Sequence, residues 1–436
     1  MTTAQTSLSA ARSASPAASS EAGRLDAWTG AIVFLAFAAA YFCSALVRAI
    51  TATLSPVLTQ DFSLHARDLG LLAGGYFLGF AATQLPLGTW LDRHGPKRVI
   101  LCFLSVAVLG CLAFSLATSF AWLLAARVLV GMGVSACLMA PLTGFRRWLE
   151  PGTVLRANSW MLMTGSLGML ASTLPVQWLM PVTGWRPMFW ILAAMILLCM
   201  AAIAWVVPTW KLGHGAAPAA TAGAEAETGY APIWRSRYFR KMTPLAFFHY
   251  GGLVAVQTLW AGPWMVKVAG YTPLEAATGL FYINATMLVT FWSWGMVNPW
   301  LSRHGWAATR LIAWGVPLSL AVLAANIAAG PSAGWLGWAL FCMSCSVLGL
   351  AQPAVGMAFK PSLAGRAMSG YNLMIFSGVF VVQWGIGLLI DVFAAMGLAQ
   401  VASFQAAMGV LLCCCIASYG YFLSVSADNS VEPENP

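Results

Sequence analysis

Charged residues are scarce in this chain of 436 residues. Asp, Glu, Lys and Arg together make up 8% of it and apolar residues 60%, whereas roughly 25% of an ordinary soluble domain is charged. This composition excludes a soluble globular protein. The apolar residues run continuously instead of alternating with polar ones, which also excludes a membrane β-barrel. The sequence therefore predicts an all-α integral membrane protein.

Clusters typical of catalytic and metal sites are also missing. All ten cysteines fall inside apolar segments. The one C-x-x-C pair, Cys342 and Cys345, has no histidine or second cysteine pair near it in the sequence, so we expect neither disulfides nor a metal centre. No Walker-type phosphate loop indicates ATP hydrolysis, and no His/Asp/Glu or Ser/His constellation falls within the apolar segments. We expect no enzymatic activity and no cofactor.

Twelve apolar segments are long enough to cross a bilayer as helices, which takes about 20 residues each. The predicted spans are 28–54, 69–91, 99–118, 121–143, 158–180, 187–207, 243–266, 275–300, 308–328, 335–357, 367–391 and 399–424. They form two six-helix bundles, 27–207 and 242–425, joined by a polar cytoplasmic linker, 208–241. Residues 1–26, rich in Ala and Ser, are predicted to be a disordered tail, and residues 426–436 a second tail.

Positive charge is concentrated in alternate loops. Of the 22 Lys and Arg residues, 17 fall in the N-terminal tail and the even-numbered loops, three fall in odd-numbered loops, and Arg48 and Arg127 lie within spans. Because Lys and Arg accumulate on the cytoplasmic side of a membrane, we expect a multi-pass protein of the bacterial inner membrane with both termini in the cytoplasm. The charges are spread over six separate segments, so nucleic-acid binding, which needs one basic face, is not expected.

The two halves of the chain contain an internal repeat. The sequence WLDRHG at 90–95 recurs as WLSRHG at 300–305, an offset of 210, and Val-Gln-Trp at 176–178 recurs at 382–384, an offset of 206. A repeat unit with an even number of spans inserts in the same direction both times, so the two copies are related by an axis along the membrane normal. We expect two bundles around a central cavity that opens to either side in turn.

Two motifs resemble signatures of the major facilitator superfamily. Residues 88–98, GTWLDRHGPKR, match its loop signature G-x-x-x-D-[RK]-x-G-x-[RK]-[RK], and Arg127, Gly131 and Gly133 match its fourth-helix signature. The resemblance covers residues 27–425 and implies a transporter of twelve helices. It also implies a conformational latch that is formed by Gly88, Asp92, Arg93, Gly95 and Arg98.

Asp92 is the acidic residue of this latch. The resemblance implies that it meets the N-terminal end of the eleventh helix in the outward-open state, where the helix dipole favours a carboxylate. The alternative role for the loop is to anchor the topology through its basic residues, and the two roles are compatible.

Arg48 is the candidate ligand for a substrate. The first span, YFCSALVRAITATLSP at 41–56, resembles the organic-anion and organophosphate branches of the superfamily, whose first-helix arginine binds the anionic group of the substrate. A guanidinium offers a fork of donors suited to carboxylate or phosphate. The seventh span contains no arginine, unlike that of the organophosphate exchangers, which favours a carboxylate over a phosphate ester. The alternative is that Arg48 is an interfacial anchor.

Further polar and aromatic residues are expected to line the cavity. The candidates are His249, Tyr250, Gln257, Trp260, Gln177, Gln383 and Asn372. Arg127 and His249 are the candidates for proton coupling, because an intramembrane arginine is costly unless it faces a cavity or a partner and because imidazole titrates near neutral pH. A structural role is the alternative for both.

The sequence predicts a monomeric secondary transporter of a small organic anion, with the proton as the coupled ion and uptake as the direction. The spans contain no central carboxylate, and the fifth lacks the G-x-x-x-G-P-x-x-G pattern of drug/proton antiporters. Two alternatives remain open. One is an exporter of a metabolite, siderophore or drug, and the other is a ligand sensor that is built like a transporter and moves nothing.

Overall fold

A computed structural model of the protein describes residues 25–209 and 229–425. Throughout these two ranges the regular structure is helical, which confirms the predicted fold class. The predicted N-terminal tail lies outside the described residues except for residues 25–26, and the predicted C-terminal tail lies wholly outside them, as does the middle of the predicted linker. Helical structure resumes at Ala231, inside the stretch predicted as linker.

We group the described helices into twelve passes, in agreement with the twelve predicted spans, and number them in chain order. Their bounds are first Ala27–Phe62, second Ala66–Ala82 continued by 84–94, third 96–115, fourth Phe120–Trp148, fifth Pro151–Ala171 with Leu174–Thr183, sixth Trp185–Val206, seventh 237–267, eighth Pro273–Arg303, ninth Ala308–Ala329, tenth Trp335–Met357, eleventh Pro361–Ala395 and twelfth Gln400–Ser424. Within the described residues, nine helices are individually long and apolar enough to span a bilayer. The second, fifth and seventh passes are interrupted.

The even number of passes brings the two ends of the described chain to one face of the membrane. We call this the terminal face and the opposite one the distal face. The first, third, fifth, seventh, ninth and eleventh helices run from the terminal face to the distal face, and the others run back.

The first helix is longer than predicted and continues past Pro56 to Phe62. Proline has no N–H, so it leaves the carbonyl four residues before it without its usual donor. That carbonyl belongs to Ala52, and the hydroxyl of Ser55 donates to it at 2.8 Å. The replacement bond explains why the helix does not end at the proline.

The two copies of the sequence repeat make the same turn. Gly95 has a φ of 73° and Gly305 a φ of 74°, in the left-handed region that residues with a side chain rarely adopt. Each glycine follows a helix at the terminal face and reverses the chain. The glycine predicted to permit a tight reversal between the second and third helices therefore does so.

Glycines also set how closely the second, third and fourth helices approach one another. A Cβ atom added to Gly131 would collide with the backbone carbonyl of Tyr76, and one added to Gly133 would collide with the backbone of Ala107. Small residues allow such close approach in membranes, where packing contacts replace the hydrophobic effect between helices.

The two bundles meet tightly at the distal face. The backbone of Gly70 on the second helix lies against the Gln383 carbonyl on the eleventh, and Gly387 lies against Ala66. Both carboxylate oxygens of Asp391 accept hydrogen bonds from the second helix, from the N–H of Ala66 at 3.2 Å and from that of Arg67 at 3.0 Å. The protein is therefore closed at this face.

Replacing Gly131 with Ala should lower the apparent melting temperature of the purified protein by a few degrees. The added methyl must displace backbone, and overpacking costs about 1–3 kcal/mol. Gly409→Ala is the matched control, because nothing lies within 4 Å of a Cβ at that position and alanine is the better helix former. Thermal denaturation followed by size-exclusion chromatography measures both variants. Equal melting temperatures would contradict the packing role.

Candidate substrate-binding site

A cavity of about 650 Å³ lies between the two bundles. The first and fifth helices form one wall, and the seventh, eighth and tenth helices form the other. Ser159 and Trp160, at the terminal-face end of the fifth helix, and Asn298, near the same end of the eighth, line it. Toward the distal face it is closed by fully buried side chains such as Trp260. The cavity therefore opens toward the terminal face, and its volume suits a small molecule.

The fifth and eighth helices each present one face to this cavity. Most of the lining residues recur at spacings of three and four, as one face of a helix requires. These include Ser159, Leu162, Met163, Ser166 and Met169 in the fifth helix and Asn284, Met287, Leu288, Phe291, Gly295 and Asn298 in the eighth. A ligand between these two faces contacts mostly apolar side chains, with small polar groups among them.

Arg48 carries the charge of the cavity. It is the one ionised residue that lines the cavity among the described residues. Its Cζ atom lies 5.9 Å from the centroid of the Phe80 ring, and the hydroxyl groups of Tyr41 and Tyr76 lie close to it. Tyr250, from the opposite bundle, lines the same cavity.

No acidic residue in the described part of the chain neutralises Arg48. Within the described residues no carboxylate lies within ion-pair distance of it, and its Nε atom is buried without a hydrogen-bond partner. A buried charge is stable only when partners compensate it, so this guanidinium retains the capacity to bind an anion. Its position on the cavity wall does not fit the alternative of an interfacial anchor.

Arg127 lies behind Arg48 and not on the cavity wall. It is fully buried, and its guanidinium donates to the backbone carbonyl of Val47 at 2.9 Å and to that of Arg48 at 3.2 Å. Its Cζ atom lies 5.2 Å from the centroid of the Tyr76 ring. Arg127 thus holds both the backbone that carries Arg48 and the tyrosine beside it. These contacts support the structural alternative for Arg127.

His249 lies on the opposite side of the seventh helix from the cavity. Its Nε2 atom is 2.8 Å from the hydroxyl of Ser319 on the ninth helix. That hydroxyl donates its proton to the Val316 carbonyl, so Nε2 must carry the proton that it donates to Ser319. The Nδ1 atom is then an acceptor, and it is buried without a partner. The structure does not bring His249 to the predicted substrate site.

The remaining candidates fall into three groups. Tyr250 and Gln257 line the cavity. Trp260, Gln383 and Asn372 lie one layer further out. The indole of Trp260 donates to the Gln383 carbonyl at 3.0 Å, and Asn372 accepts at 2.8 Å from the amide of Gln352, a residue that lines the cavity. Gln177, on the distal segment of the fifth helix, does not line it.

The residues predicted to form a latch lie at the terminal face. Gly95 makes the turn, and Asp92 is exposed. Among the described residues Asp92 has no hydrogen-bond or ion-pair partner.

Sequence reasoning missed the apolar lining of the cavity, including Met163, Met287 and Phe291. In a membrane helix the face toward lipid and the face toward a cavity are both rich in apolar residues, so composition does not separate them. The usable signal is that Ser159, Ser166 and the asparagines of the eighth helix recur on these same two faces.

Arg127→Lys should destabilise the protein. An ammonium group stays charged but lacks the rigid fork that reaches two carbonyls at once, and hydrogen bonds to a charged group contribute about 1.5–3 kcal/mol. Arg310→Lys is the control, because that arginine is exposed at the start of the ninth helix. We expect a lower melting temperature for Arg127→Lys alone. If the two variants have the same melting temperature, the contacts of Arg127 do not stabilise the protein as described.

Comparisons with known proteins agree with this architecture. The family model described as Major Facilitator Superfamily matches residues 37–383. The chain is 24% identical over 245 residues to the probable sulfoacetate transporter SauU of Cupriavidus necator, covering 53% of this chain and 56% of that protein. It is 27% identical over 145 residues to the 4-hydroxybenzoate transporter PcaK of Pseudomonas aeruginosa, covering 33% of this chain and 32% of that one.

The chain thus spans about half the length, or less, of the curated relatives it matches. In the solved structure of a bacterial homologue of the human lysosomal transporter Spinster, in an inward-facing and unoccupied conformation, the same fold recurs with a TM-score of 0.75 and 17% identity over 92% of this chain and 97% of that one. The expectations of a transporter fold and of a chain that is not an enzyme are confirmed. The protein belongs to the major facilitator superfamily.

Proposed function

We propose that this protein transports a small organic anion across the bacterial inner membrane by alternating access, with Arg48 as the ligand of the anionic group. The observation that carries the proposal is the guanidinium of Arg48 on the wall of a central cavity, which no described carboxylate neutralises and whose Nε atom has no hydrogen-bond partner. Arginine binds a carboxylate through two parallel N–H groups. Because this charge is partly buried beside aromatic rings, an anion gains more from it than it would at an exposed site.

The cavity favours a singly charged anion with an apolar body. It offers one cationic side chain among the described residues that line it, so a dianion would retain an uncompensated charge there. Met163, Met287 and Phe291 supply apolar contacts along the rest of its length. The relatives named as transporters of sulfoacetate and of 4-hydroxybenzoate are both named for carboxylates, which supports an organic anion as the substrate. Of the two, 4-hydroxybenzoate has the single carboxylate and the apolar body that this cavity favours, whereas sulfoacetate carries two charges.

Sidedness follows from the positive charges. The terminal face carries most of the Lys and Arg residues of the loops, so it is the cytoplasmic face and the described conformation is inward-open. Return to the outward-open state closes the terminal face, and Asp92 then binds the N-terminal end of the eleventh helix. Uptake coupled to protons is part of this proposal, with His249 as the titratable group because its buried Nδ1 atom has no partner.

Arg48→Lys should reduce uptake at least tenfold while the protein still reaches the membrane. The ammonium keeps the charge but loses the paired donors that fit a carboxylate. The assay uses purified protein in liposomes, a proton gradient directed inward, and radiolabelled monocarboxylates. Arg310→Lys is again the matched control and should transport like the wild type.

Wild-type kinetics in Arg48→Lys would contradict the anion site. Ligand binding without accumulation in the wild type would favour a sensor, and outward movement driven by the same proton gradient would favour an exporter.

A further inference from the structure

Two amide side chains from the C-terminal bundle form a pair on the cavity wall that faces the Arg48 bundle. Gln257 lies in the seventh helix and Asn284 in the eighth, and both line the cavity. The Nδ2 group of Asn284 donates to the Leu280 carbonyl at 2.9 Å. The Oδ1 atom of Asn284 is therefore turned toward Gln257, and it accepts from Nε2 of Gln257 at 3.1 Å.

These two hydrogen bonds determine which side-chain atom of Gln257 is left without a partner. Because Nε2 must donate to Asn284, Oε1 is the atom left for a ligand, and within the described residues it accepts no hydrogen bond. Val254 and Met287 line the cavity nearby and offer no donor. If a bound ligand displaces water from this carbonyl oxygen and offers it no donor, the free energy of binding becomes less favourable by about 1–3 kcal/mol.

We propose that the transported anion carries a hydrogen-bond donor, a hydroxyl or N–H group, at the end away from its carboxylate, and that Gln257 binds this donor through Oε1. The inference rests on the proposed function, since Arg48 must hold the anionic end. The substrate class is then a monocarboxylate with an apolar body and a distal hydroxyl or amino group. Gln257 determines specificity, and Asn284 positions it.

The test compares matched pairs of labelled anions that differ by one donor, namely benzoate with 4-hydroxybenzoate and pentanoate with 5-hydroxypentanoate. 4-Methoxybenzoate controls for size, since it keeps the oxygen and lacks the donor. We expect wild-type liposomes to take up each hydroxylated anion at least tenfold faster than its partner at low concentration. A site built for a hydroxyl discriminates strongly against analogues that lack it.

Gln257→Met should remove this preference, so that in this variant the uptake of each hydroxylated anion falls to the rate of its partner. Gln352→Leu is the control, because it removes another cavity amide and should retain the preference. Loss of the preference in both variants would overturn the assignment to Gln257. Equal uptake of both anions by the wild type, still abolished by Arg48→Lys, would overturn this inference and leave the proposed function standing. Uptake of neither anion would overturn both.

A second inference concerns Asp391, at the distal end of the eleventh helix. Its two oxygens accept from the N–H groups of Ala66 and Arg67, the first two residues of the second helix in the other bundle. The first N–H groups of a helix have no partner within that helix, and a carboxylate there also interacts favourably with the helix dipole. The side chain of Arg67 lies against Asp68, with 3.6 Å between Nε and Oδ1, so Asp391 binds the backbone alone.

The second and eleventh helices run in opposite directions, and each carries an aspartate toward its C-terminal end. Asp391 reaches the start of the second helix at the distal face. Asp92, on the continuation of the second helix, lies at the terminal face, where the eleventh helix starts at Pro361. We infer that Asp391 is a latch that holds the distal face closed and must be released before that face opens.

Hydrogen–deuterium exchange of the full-length protein tests this latch. Asp391→Asn should raise exchange at least fivefold in three places that close the distal face, namely residues 66–72, 256–262 and 380–390. Asp92→Asn should lower exchange in the same three places, because it weakens the opposing latch. Size-exclusion chromatography and melting temperature establish that each variant is folded.

Asp68→Asn is the matched control for Asp391→Asn. Asp68 accepts from the N–H of His65 at 3.0 Å, so it caps the same helix from within its own bundle, and its loss should leave residues 380–390 unchanged. A rise confined to 66–68 in Asp391→Asn would make Asp391 a local cap and would overturn the inference. Equal exchange in Asp391→Asn and the wild type would overturn it as well.

Discussion

Inside a membrane every backbone N–H and C=O group must find its partner within the protein. This requirement explains why the described chain is helical and also how its irregular points are stabilised. At Pro56 the hydroxyl of Ser55 takes over the bond to the Ala52 carbonyl. Where the fifth helix breaks, the Ser172 carbonyl accepts from the hydroxyl of Thr53 at 2.8 Å. A neighbouring side chain thus supplies the partner that the helix itself has lost.

Charged side chains within the membrane also need partners, and a charge without partners is costly there. Arg127 donates to two backbone carbonyls of the first helix, and its Nε atom, like that of Arg48, is buried without a partner. The two arginines differ in where they lie. Arg127 is fully buried behind the first helix, where a ligand does not reach it, whereas Arg48 lies on the wall of the cavity. This difference in position is why the structure favours a structural role for Arg127 and why a binding role is proposed for Arg48.

Alternating access requires contacts between the two bundles that close one face of the membrane and that can be broken when this face opens. At the distal face the contact includes glycine backbones on the second and eleventh helices and the carboxylate of Asp391, which caps the second helix. Such contacts are short-range and lie along helix surfaces, so a small rigid-body rotation breaks them together. Gln383 connects this boundary to the cavity, since its amide donates to the Thr258 hydroxyl at 2.9 Å. A ligand that contacts the seventh helix is therefore connected to the closed face through this single hydrogen bond.

The class of protein, the approximate place of the spans, the repeat, the turn at Gly95 and the candidate Arg48 could be predicted from the sequence. These predictions follow from hydropathy, glycine conformation and the cost of charge in lipid, which act locally along the chain. Which face of each helix meets the cavity could not be predicted in this way. The structure turns the side chain of His249 toward the ninth helix, places Arg127 behind Arg48 and brings Asp391 to the start of the second helix. The physical reason is that lipid and protein interior are both apolar, so the rotation of a membrane helix is set by contacts with helices distant in the sequence.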